Sequence, residues 1–230
     1  MTELGVAKMV LGMSIDCDHD AGTIRISQAQ YTGSVLKKFG MADSKPVATP
    51  ASGKELKVEP LGGPMHQVCT RYDIAYSVQQ LARFMSKPAT VHMEVAKRVL
   101  RNLRGARDFC IVFKKGNFTL VGYSDSSFNP GQLDRERSCS GWIFFLSGGP
   151  ISFGSALQKT PANSTTEAKL KALSSASKEG INLSNVLGEL RFMDFSTSTY
   201  VRTHRLPYIL WKTTSSAQGP SILQRSSNFC

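Results

Sequence analysis

The periodicity of the chain changes from helical to strand-like after Gly116, and this change restricts the fold more than any other feature. Three stretches, residues 118–127, 138–149 and 150–158, alternate apolar and polar side chains between glycine-containing turns. Such a pattern predicts three antiparallel strands in a meander. Apolar residues then recur at helical spacing over residues 165–190, which predicts one long helix. Separate runs of strands and helices of this kind indicate the α+β class.

Polar residues mark the start of this long helix, and a short strand-like stretch follows its end. Ser164 or Thr165 is expected to cap the helix, with Glu167 in its first turn. Residues 199–203 (TYVRT) predict a possible fourth strand. Residues 204–230 show no consistent period and contain no acidic side chain, which predicts a disordered basic tail or an off-frame end.

The N-terminal part predicts a hairpin followed by a helix. Residues 9–16 and 23–28 alternate like two strands, and an acidic, glycine-containing turn joins them. An amphipathic helix is expected over residues 28–39, ending at Gly40. The proline-rich stretch 42–64 predicts a linker.

Two further helices are predicted in the middle of the chain. Helical spacing of apolar residues indicates one helix over residues 72–84 and a second over residues 90–103. They are expected to form an antiparallel pair that carries most of the basic charge. If the pair binds nucleic acid, the predicted contacts are Arg83, Lys97, Arg98, Arg101, Arg104 and Arg107. A solvated helix face explains the same charges equally well.

The net charge of +11 is concentrated in two segments of the chain. Residues 61–117 carry ten basic and three acidic side chains, and residues 196–230 carry four basic ones and no acid. Clustered lysine and arginine attract phosphates, so nucleic acid is the expected partner.

The five cysteines form no CxxC pair, and no apolar run approaches the length of a membrane helix. We therefore expect no zinc site, no membrane partner and an intracellular location, cytoplasmic or nuclear.

Three segments of the C-terminal half are distinctive in sequence: GYSDSSFN at 122–129, RSCSGWIFFLSGGPISFGSALQ at 137–158 and STTEAKLKALSSASKE at 164–179. They resemble the ribonuclease H domain of copia-type retrotransposon polyproteins. Upstream, LGMSID and ISQAQYTGSVLKKFGM are similar to the end of the reverse transcriptase palm and thumb, and CTRYDIAYSVQQLARFMSKP and AKRVLRNLRGARDF are similar to the connecting helices. The resemblance covers residues 1 to about 195 in the family's order.

The resemblance implies a specific α+β architecture. A ribonuclease H-like mixed sheet with a long helix is preceded by a β-hairpin/helix thumb remnant and a basic helix pair. The implied regions are 1–60 (palm-end and thumb remnant with its linker), 61–116 (connecting helix pair), 117–203 (truncated ribonuclease H-like domain) and 204–230 (the tail).

The resemblance also implies a metal site, from which this chain departs. In the family four carboxylates hold two Mg²⁺ or Mn²⁺ ions, because in-line attack on a phosphodiester needs both the entering and the leaving oxygen stabilised. Asp125 takes the first position, but Lys169 stands at the second. Glu167 lies two residues earlier, about 200° around a helix, and the third position falls near Arg202. The family's polymerase aspartates lie upstream of the hairpin, so no polymerase activity is expected.

Three functions from different classes follow from these observations. The first is a fragment of a retrotransposon reverse transcriptase/ribonuclease H polyprotein that is catalytically inactive and keeps some affinity for nucleic acid. The second is an active, metal-dependent ribonuclease H that cleaves RNA in an RNA/DNA hybrid, with Asp125 and Glu167 as catalytic metal ligands. The third is a domesticated module that uses the sheet or the helix pair to bind protein.

Overall fold

The structure of the chain is a computed structural model, which describes eight stretches of the sequence. They are residues 7–51, 70–82, 89–116, 118–128, 137–190, 200–203, 209–212 and 221–224, with side chains as far as residue 190. The chain divides into a first unit, residues 1–115, and a second unit, residues 116–230. Each unit is described by itself below.

An antiparallel sheet of four strands forms one part of the first unit. In spatial order the strands are β1 (Met9–Val10), β2 (Met13–Asp18), β3 (Thr23–Ser27) and β4 (Cys110–Lys114). The predicted hairpin is present, although Leu11 and Gly12 have positive φ and separate β1 from β2. Strand β4 was not predicted. Its pairing with β3 places Ile111 beside Ile26, which in turn lies beside Ile15, and this row aligns apolar side chains on one face.

The described residues of the first unit also form three helices and a short 3₁₀ turn. They are α1 (Ala29–Lys38), the turn (Tyr72–Ile74), α2 (Ala75–Ala82) and α3 (Thr90–Gly105). The turn, α2 and α3 share an apolar core of side chains that recur at helical spacing, which contains Ile74, Leu81, Val95, Val99 and Leu103. The predicted helices over 28–39 and 90–103 are therefore confirmed. The helix predicted over 72–84 begins with the 3₁₀ turn, and its last predicted residues, including Arg83, lie outside the described residues.

Residues from the predicted regions 1–60 and 61–116 contact each other within the first unit. Arg71 is only 4% exposed and lies within the second of these regions, where it binds Asp73 and the residue that follows α3. Its guanidinium donates to both carboxylate oxygens of Asp73, at 2.8 and 2.7 Å, and to the carbonyl of Ala106 at 2.9 Å. Next to it, the hydroxyl of Thr70 donates to the side-chain oxygen of Gln28 at 2.6 Å. The Thr70–Gln28 hydrogen bond therefore joins the start of α1 to the segment that leads into the helix pair, which the sequence assigned to a separate region.

A mixed sheet forms the second unit. Its strands are β5 (Val121–Ser127), β6 (Cys139–Leu146), β7 (Gly149–Leu157) and β8 (Tyr200–Thr203), in the spatial order β7-β6-β5-β8. Strands β5, β6 and β7 are antiparallel neighbours, whereas β8 pairs with β5 in parallel. The predicted meander and the predicted fourth strand are confirmed, and the α+β class with them.

The long helix α4 (Thr165–Glu189) packs on this sheet. Its first turn is capped as predicted, because the Ser164 hydroxyl accepts a hydrogen bond from the Glu167 amide at 3.1 Å. The core between helix and sheet contains Leu120, Phe144, Leu173 and Ala176. Within the described residues no helix is long and apolar enough to cross a lipid bilayer.

Two short strands occur in the C-terminal segment that the sequence predicted to be disordered or off-frame. Strands β9 (Ile209–Lys212) and β10 (Ser221–Gln224) pair in antiparallel fashion. Both contain adjacent apolar residues, ILW in β9 and IL in β10, which favour extended structure. The segment is therefore not wholly unstructured, although its overall sequence lacks a sustained period.

Gly122 is predicted to be intolerant of a side chain, because it lies opposite Phe144 in the β5–β6 pairing. A Cβ added at Gly122 would overlap the Phe144 ring, which is 0% exposed and has no space to move. We expect the Gly122→Ala variant to lose about 1–3 kcal/mol of unfolding free energy. Unfolding can be followed by tryptophan fluorescence, since both tryptophans of the chain, Trp142 and Trp211, lie in the second unit.

The control for this prediction is Gly188→Ala on the exposed side of α4, where an added Cβ would meet nothing within 4 Å. This control should gain roughly 0.5–1 kcal/mol, because alanine favours the helix over glycine. Equal stability of Gly122→Ala and the wild-type protein would contradict the packing described here.

Candidate carboxylate site and basic helix

Asp125 lies on β5 with its side chain 58% exposed. Alternation along the strand turns its neighbour Ser124 to the buried face of the sheet, where Ser124 is 4% exposed. Across the strand pairing, Asp125 lies opposite Gly141, which has no side chain to cover the carboxylate. The first predicted metal ligand is therefore an accessible carboxylate on a central strand.

Lys169 is the side chain that α4 brings to Asp125. Its ammonium nitrogen lies 3.5 Å from the Asp125 Oδ1 atom, and the lysine side chain is 17% exposed. The position that the resemblance assigned to a second carboxylate is thus occupied by a positive charge in contact with the first. An ammonium group has three donors and no free lone pair, so it balances the aspartate charge but cannot bind a metal.

Glu167, the second predicted ligand, forms hydrogen bonds at the start of α4. Its carboxylate accepts hydrogen bonds from the Asn163 amide and the Lys171 ammonium, both at 2.8 Å. The Ser164 hydroxyl accepts from the Glu167 backbone amide, so the two side chains together satisfy two backbone donors at the helix start. The hydrogen bond from Lys171, followed by that from the Asn163 amide, lowers the pKa of Glu167 below its ordinary value of 4.5. The described contacts of Glu167 do not include Asp125.

The donor groups at Asp125 do not fit a pair of divalent cations. Within the described part of the chain, no group of three or more histidine, cysteine, aspartate or glutamate residues could hold a metal ion. The third position of the implied set falls at Arg202, whose backbone lies beside Tyr123 in the β5–β8 pairing, two residues from Asp125. A single carboxylate beside an ammonium group is a poor ligand set for Mg²⁺ or Mn²⁺.

The arginines of α3 donate hydrogen bonds to the backbone of an extended segment, residues 44–51, which we call the strap. Arg98 Nε donates to the carbonyls of Thr49 and Ala51, both at 3.1 Å, and Arg98 Nη2 donates to the Thr49 hydroxyl at 2.8 Å. Arg101 Nε donates to the Lys45 carbonyl at 2.6 Å. The predicted linker over 42–64 therefore lies along α3 in its described part.

Two further side chains complete the contact between α3 and the strap. Arg104 Nη1 donates to the Ser44 carbonyl. Asn102 is buried, and its Nδ2 atom donates to the carbonyls of Val47 and Ala48 at 3.1 and 2.9 Å. Asn102 was not among the residues predicted from the sequence. Asn102 lies beside the apolar stripe of the helix, and a polar residue buried at such a position needs a hydrogen-bond partner. This position could have indicated its contact with another segment.

The remaining predicted nucleic-acid contacts are dispersed. Arg107 is exposed, and its Nε atom donates to the Ala29 carbonyl at the start of α1 at 3.2 Å. Lys97 is exposed on α3. Arg83 lies outside the described residues. The structure thus brings Arg98, Arg101 and Arg104 together along the strap.

The arrangement of strands, helix and lone carboxylate can now be compared with known proteins. The chain is 37% identical over 212 residues to "Retrovirus-related Pol polyprotein from transposon TNT 1-94" of Nicotiana tabacum, which covers 83% of this chain and 16% of that protein. It is 35% identical over 183 residues to the Pol polyprotein of transposon RE2 of Arabidopsis thaliana, covering 73% of this chain and 12% of that protein. Its homologues are the Pol polyproteins of retrovirus-related plant transposons.

Shorter proteins also match the chain. The chain is 41% identical over 115 residues to "Secreted RxLR effector protein 161" of Plasmopara viticola, covering 50% of this chain and 80% of that protein. No family model matches the chain. No solved structure matches it either. Because the chain spans 16% or less of the length of the Pol relatives named above, it corresponds to a small part of such a polyprotein.

The charge of Glu167 is predicted to stabilise the second unit in a pH-dependent way. Because its folded-state pKa is lowered, this contribution is complete above about pH 4.5 and is lost as the pH falls through the folded-state value. The Glu167→Gln variant keeps a capping side chain but removes the charge. We expect its melting temperature to lie below that of the wild-type protein at pH 7 and to approach it towards pH 3.

The control variant is Glu189→Gln, which removes a carboxylate from the last turn of the same helix. That change should not reproduce the loss at pH 7. A melting-temperature difference between wild type and Glu167→Gln that stays constant from pH 7 to pH 3 would disprove the electrostatic explanation.

Proposed function

We propose that this retrotransposon polyprotein fragment is a catalytically inactive reverse transcriptase–ribonuclease H segment that binds nucleic acid through α3. The observation that carries the inactive assignment is the Lys169 ammonium 3.5 Å from Asp125. The observation that supports binding is the set of arginines along α3, in a chain with a net charge of +11. The regions implied by the family resemblance, 1–60, 61–116, 117–203 and 204–230, are part of this proposal.

The order of elements supports the ribonuclease H-like assignment. Three antiparallel strands, a long helix and a fourth strand parallel to the first follow one another in the second unit. The first strand of that series carries Asp125, in agreement with the family's first metal ligand. The Pol homologues support the same ancestry.

Electrostatics argues against catalysis at Asp125. Two-metal hydrolysis requires several carboxylates to hold two cations about 4 Å apart. A lysine ammonium in contact with the first carboxylate repels such cations and already balances its charge. An active enzyme would also need Glu167 to give up its hydrogen bonds to Asn163 and Lys171 and to turn about 200° around α4. We therefore favour the inactive alternative.

Binding is proposed to depend on charge and to be independent of base sequence. Arginine neutralises phosphates and releases their counterions, so affinity falls steeply with salt. For three phosphate contacts on a duplex, the dissociation constant should be about tenfold to a hundredfold larger at 200 mM salt than at 50 mM.

Cleavage and binding of a labelled RNA/DNA hybrid test this proposal together. We expect the wild-type protein to bind the hybrid in the presence of Mg²⁺ or Mn²⁺ without cutting it, and the Asp125→Asn variant to behave in the same way. Products are resolved on a denaturing gel, and binding is measured by fluorescence anisotropy. Cleavage by the wild-type protein that Asp125→Asn abolishes would refute inactivity, whereas absence of binding at 50 mM salt would refute the nucleic-acid assignment.

Lys169 is predicted to be the residue that prevents metal binding. The Lys169→Glu variant places a second carboxylate next to Asp125, so we expect weak Mn²⁺ binding with a dissociation constant on the order of 0.1–1 mM. The wild-type protein should show none at this site. Binding is measured by electron paramagnetic resonance of free Mn²⁺.

The matched control is Lys171→Glu, which makes the same charge change two residues further along α4 than Lys169, where Lys171 pairs with Glu167. This control should not bind Mn²⁺. Equal Mn²⁺ affinity of the two variants would show that added negative charge, and not the Asp125 site, is responsible.

A further inference from the structure

The contact between α3 and the strap leaves the charges of the arginines uncompensated. The acceptors for Arg98, Arg101 and Arg104 are backbone carbonyls and one hydroxyl, which are neutral. Within the described residues, the ion pairs of the first unit do not include these three arginines. The strap therefore fixes the position of each guanidinium without cancelling its charge.

Most of the donors of these arginines remain available. A guanidinium has five N–H groups. Arg101 donates through Nε alone, and Arg104 through one Nη1 hydrogen. Arg98 uses its Nε and Nη2 atoms. Each group can therefore bind a phosphate oxygen while it remains attached to the strap.

The spacing of the three arginines suits a nucleic-acid strand. They recur every three residues, so they rise about 4.5 Å per step and about 9 Å in total along the helix. One strand of a duplex rises about 3.4 Å per phosphate. The row of arginines is therefore as long as two to three intervals between successive phosphates. Long arginine side chains lose entropy on binding, and prior attachment to the strap reduces this cost.

We propose that the strap is a scaffold that holds Arg98, Arg101 and Arg104 as a preorganised row for the sugar–phosphate backbone of nucleic acid. In this arrangement Asn102 and Thr49 are positioning residues. Asn102 attaches the middle of the strap to α3, and the Thr49 hydroxyl orients the Arg98 guanidinium. The inference rests on the proposed nucleic-acid binding and adds the element on which that binding depends.

The opposite arrangement is a strap that covers the arginines and must leave before nucleic acid can bind. The two arrangements predict opposite effects when the strap is loosened. A scaffold that is loosened weakens binding, whereas a cover that is loosened strengthens it. Variants that loosen the strap without changing the net charge therefore distinguish them.

The test compares Thr49→Val and Asn102→Ala with the wild-type full chain in binding a labelled RNA/DNA hybrid at 50 mM salt. Neither substitution changes the net charge. Thr49 is exposed, and valine has nearly the same shape, so this variant should fold normally. We expect about two- to fivefold weaker binding for Thr49→Val and about three- to tenfold weaker binding for Asn102→Ala.

The control is Thr166→Val, which makes the same substitution at an exposed threonine of the second unit and should leave affinity unchanged. A second readout is hydrogen exchange of the Val47 amide, which donates to the Arg101 carbonyl at 3.4 Å. Its protection should persist when the hybrid binds. If Asn102→Ala does not fold, Thr49→Val and the Val47 amide decide the question.

The outcomes separate this inference from the proposed function. If the wild-type protein binds the hybrid and Thr49→Val binds equally well or better, the scaffold is disproved and nucleic-acid binding stands. Loss of Val47 protection on binding also overturns the scaffold, because it shows that the strap is released. If the wild-type protein does not bind at 50 mM salt, the proposed function fails and the inference fails with it.

Discussion

The close approach of α4 to the sheet determines the chemistry of the second unit. Ala168, Ala172 and Ala176 recur every fourth residue, and each is 0% exposed. Small side chains allow the helix axis to lie near the strands, and their row fixes the rotation of the helix about that axis. Lys169 follows this row by one residue and therefore comes to lie beside Asp125. Glu167 precedes it by one and remains at the helix start.

Helices and strands in which apolar side chains recur at a regular spacing were predictable from the sequence. The meander, α1, α3, α4 and the Ser164 cap follow from periodicity and from one capping residue. Strand β4 was not predicted, because its five residues (CIVFK) are too few for a sustained alternation and its partner β3 lies far away in sequence. The strap was mistaken for a linker because hydrogen bonds from α3 to backbone carbonyls leave no periodic pattern in the strap itself.

The candidate site was only partly predictable for a similar reason. The resemblance identified Asp125 and the substitution at Lys169, but sequence spacing does not show which charged groups touch. The structure adds that Lys169 contacts Asp125 and that Glu167 has other partners. The basic residues of α3 were recognised as a cluster, whereas their attachment to the strap depends on side-chain geometry. Charge composition therefore indicated a class of partner, and the fold indicates how the charges are held.

The pairing of β3 with β4 has a consequence for the synthesis of the chain. Ser27 pairs with Cys110, so roughly 80 residues separate the two strands in sequence. At a translation rate of about 5–20 residues per second, the hairpin leaves the ribosome about 4–16 seconds before its third partner exists. During that interval the edge of β3, with Ile24 and Ile26, offers unpaired backbone groups to other chains. The nascent hairpin is thus open to misassociation until residues 110–114 have been synthesised.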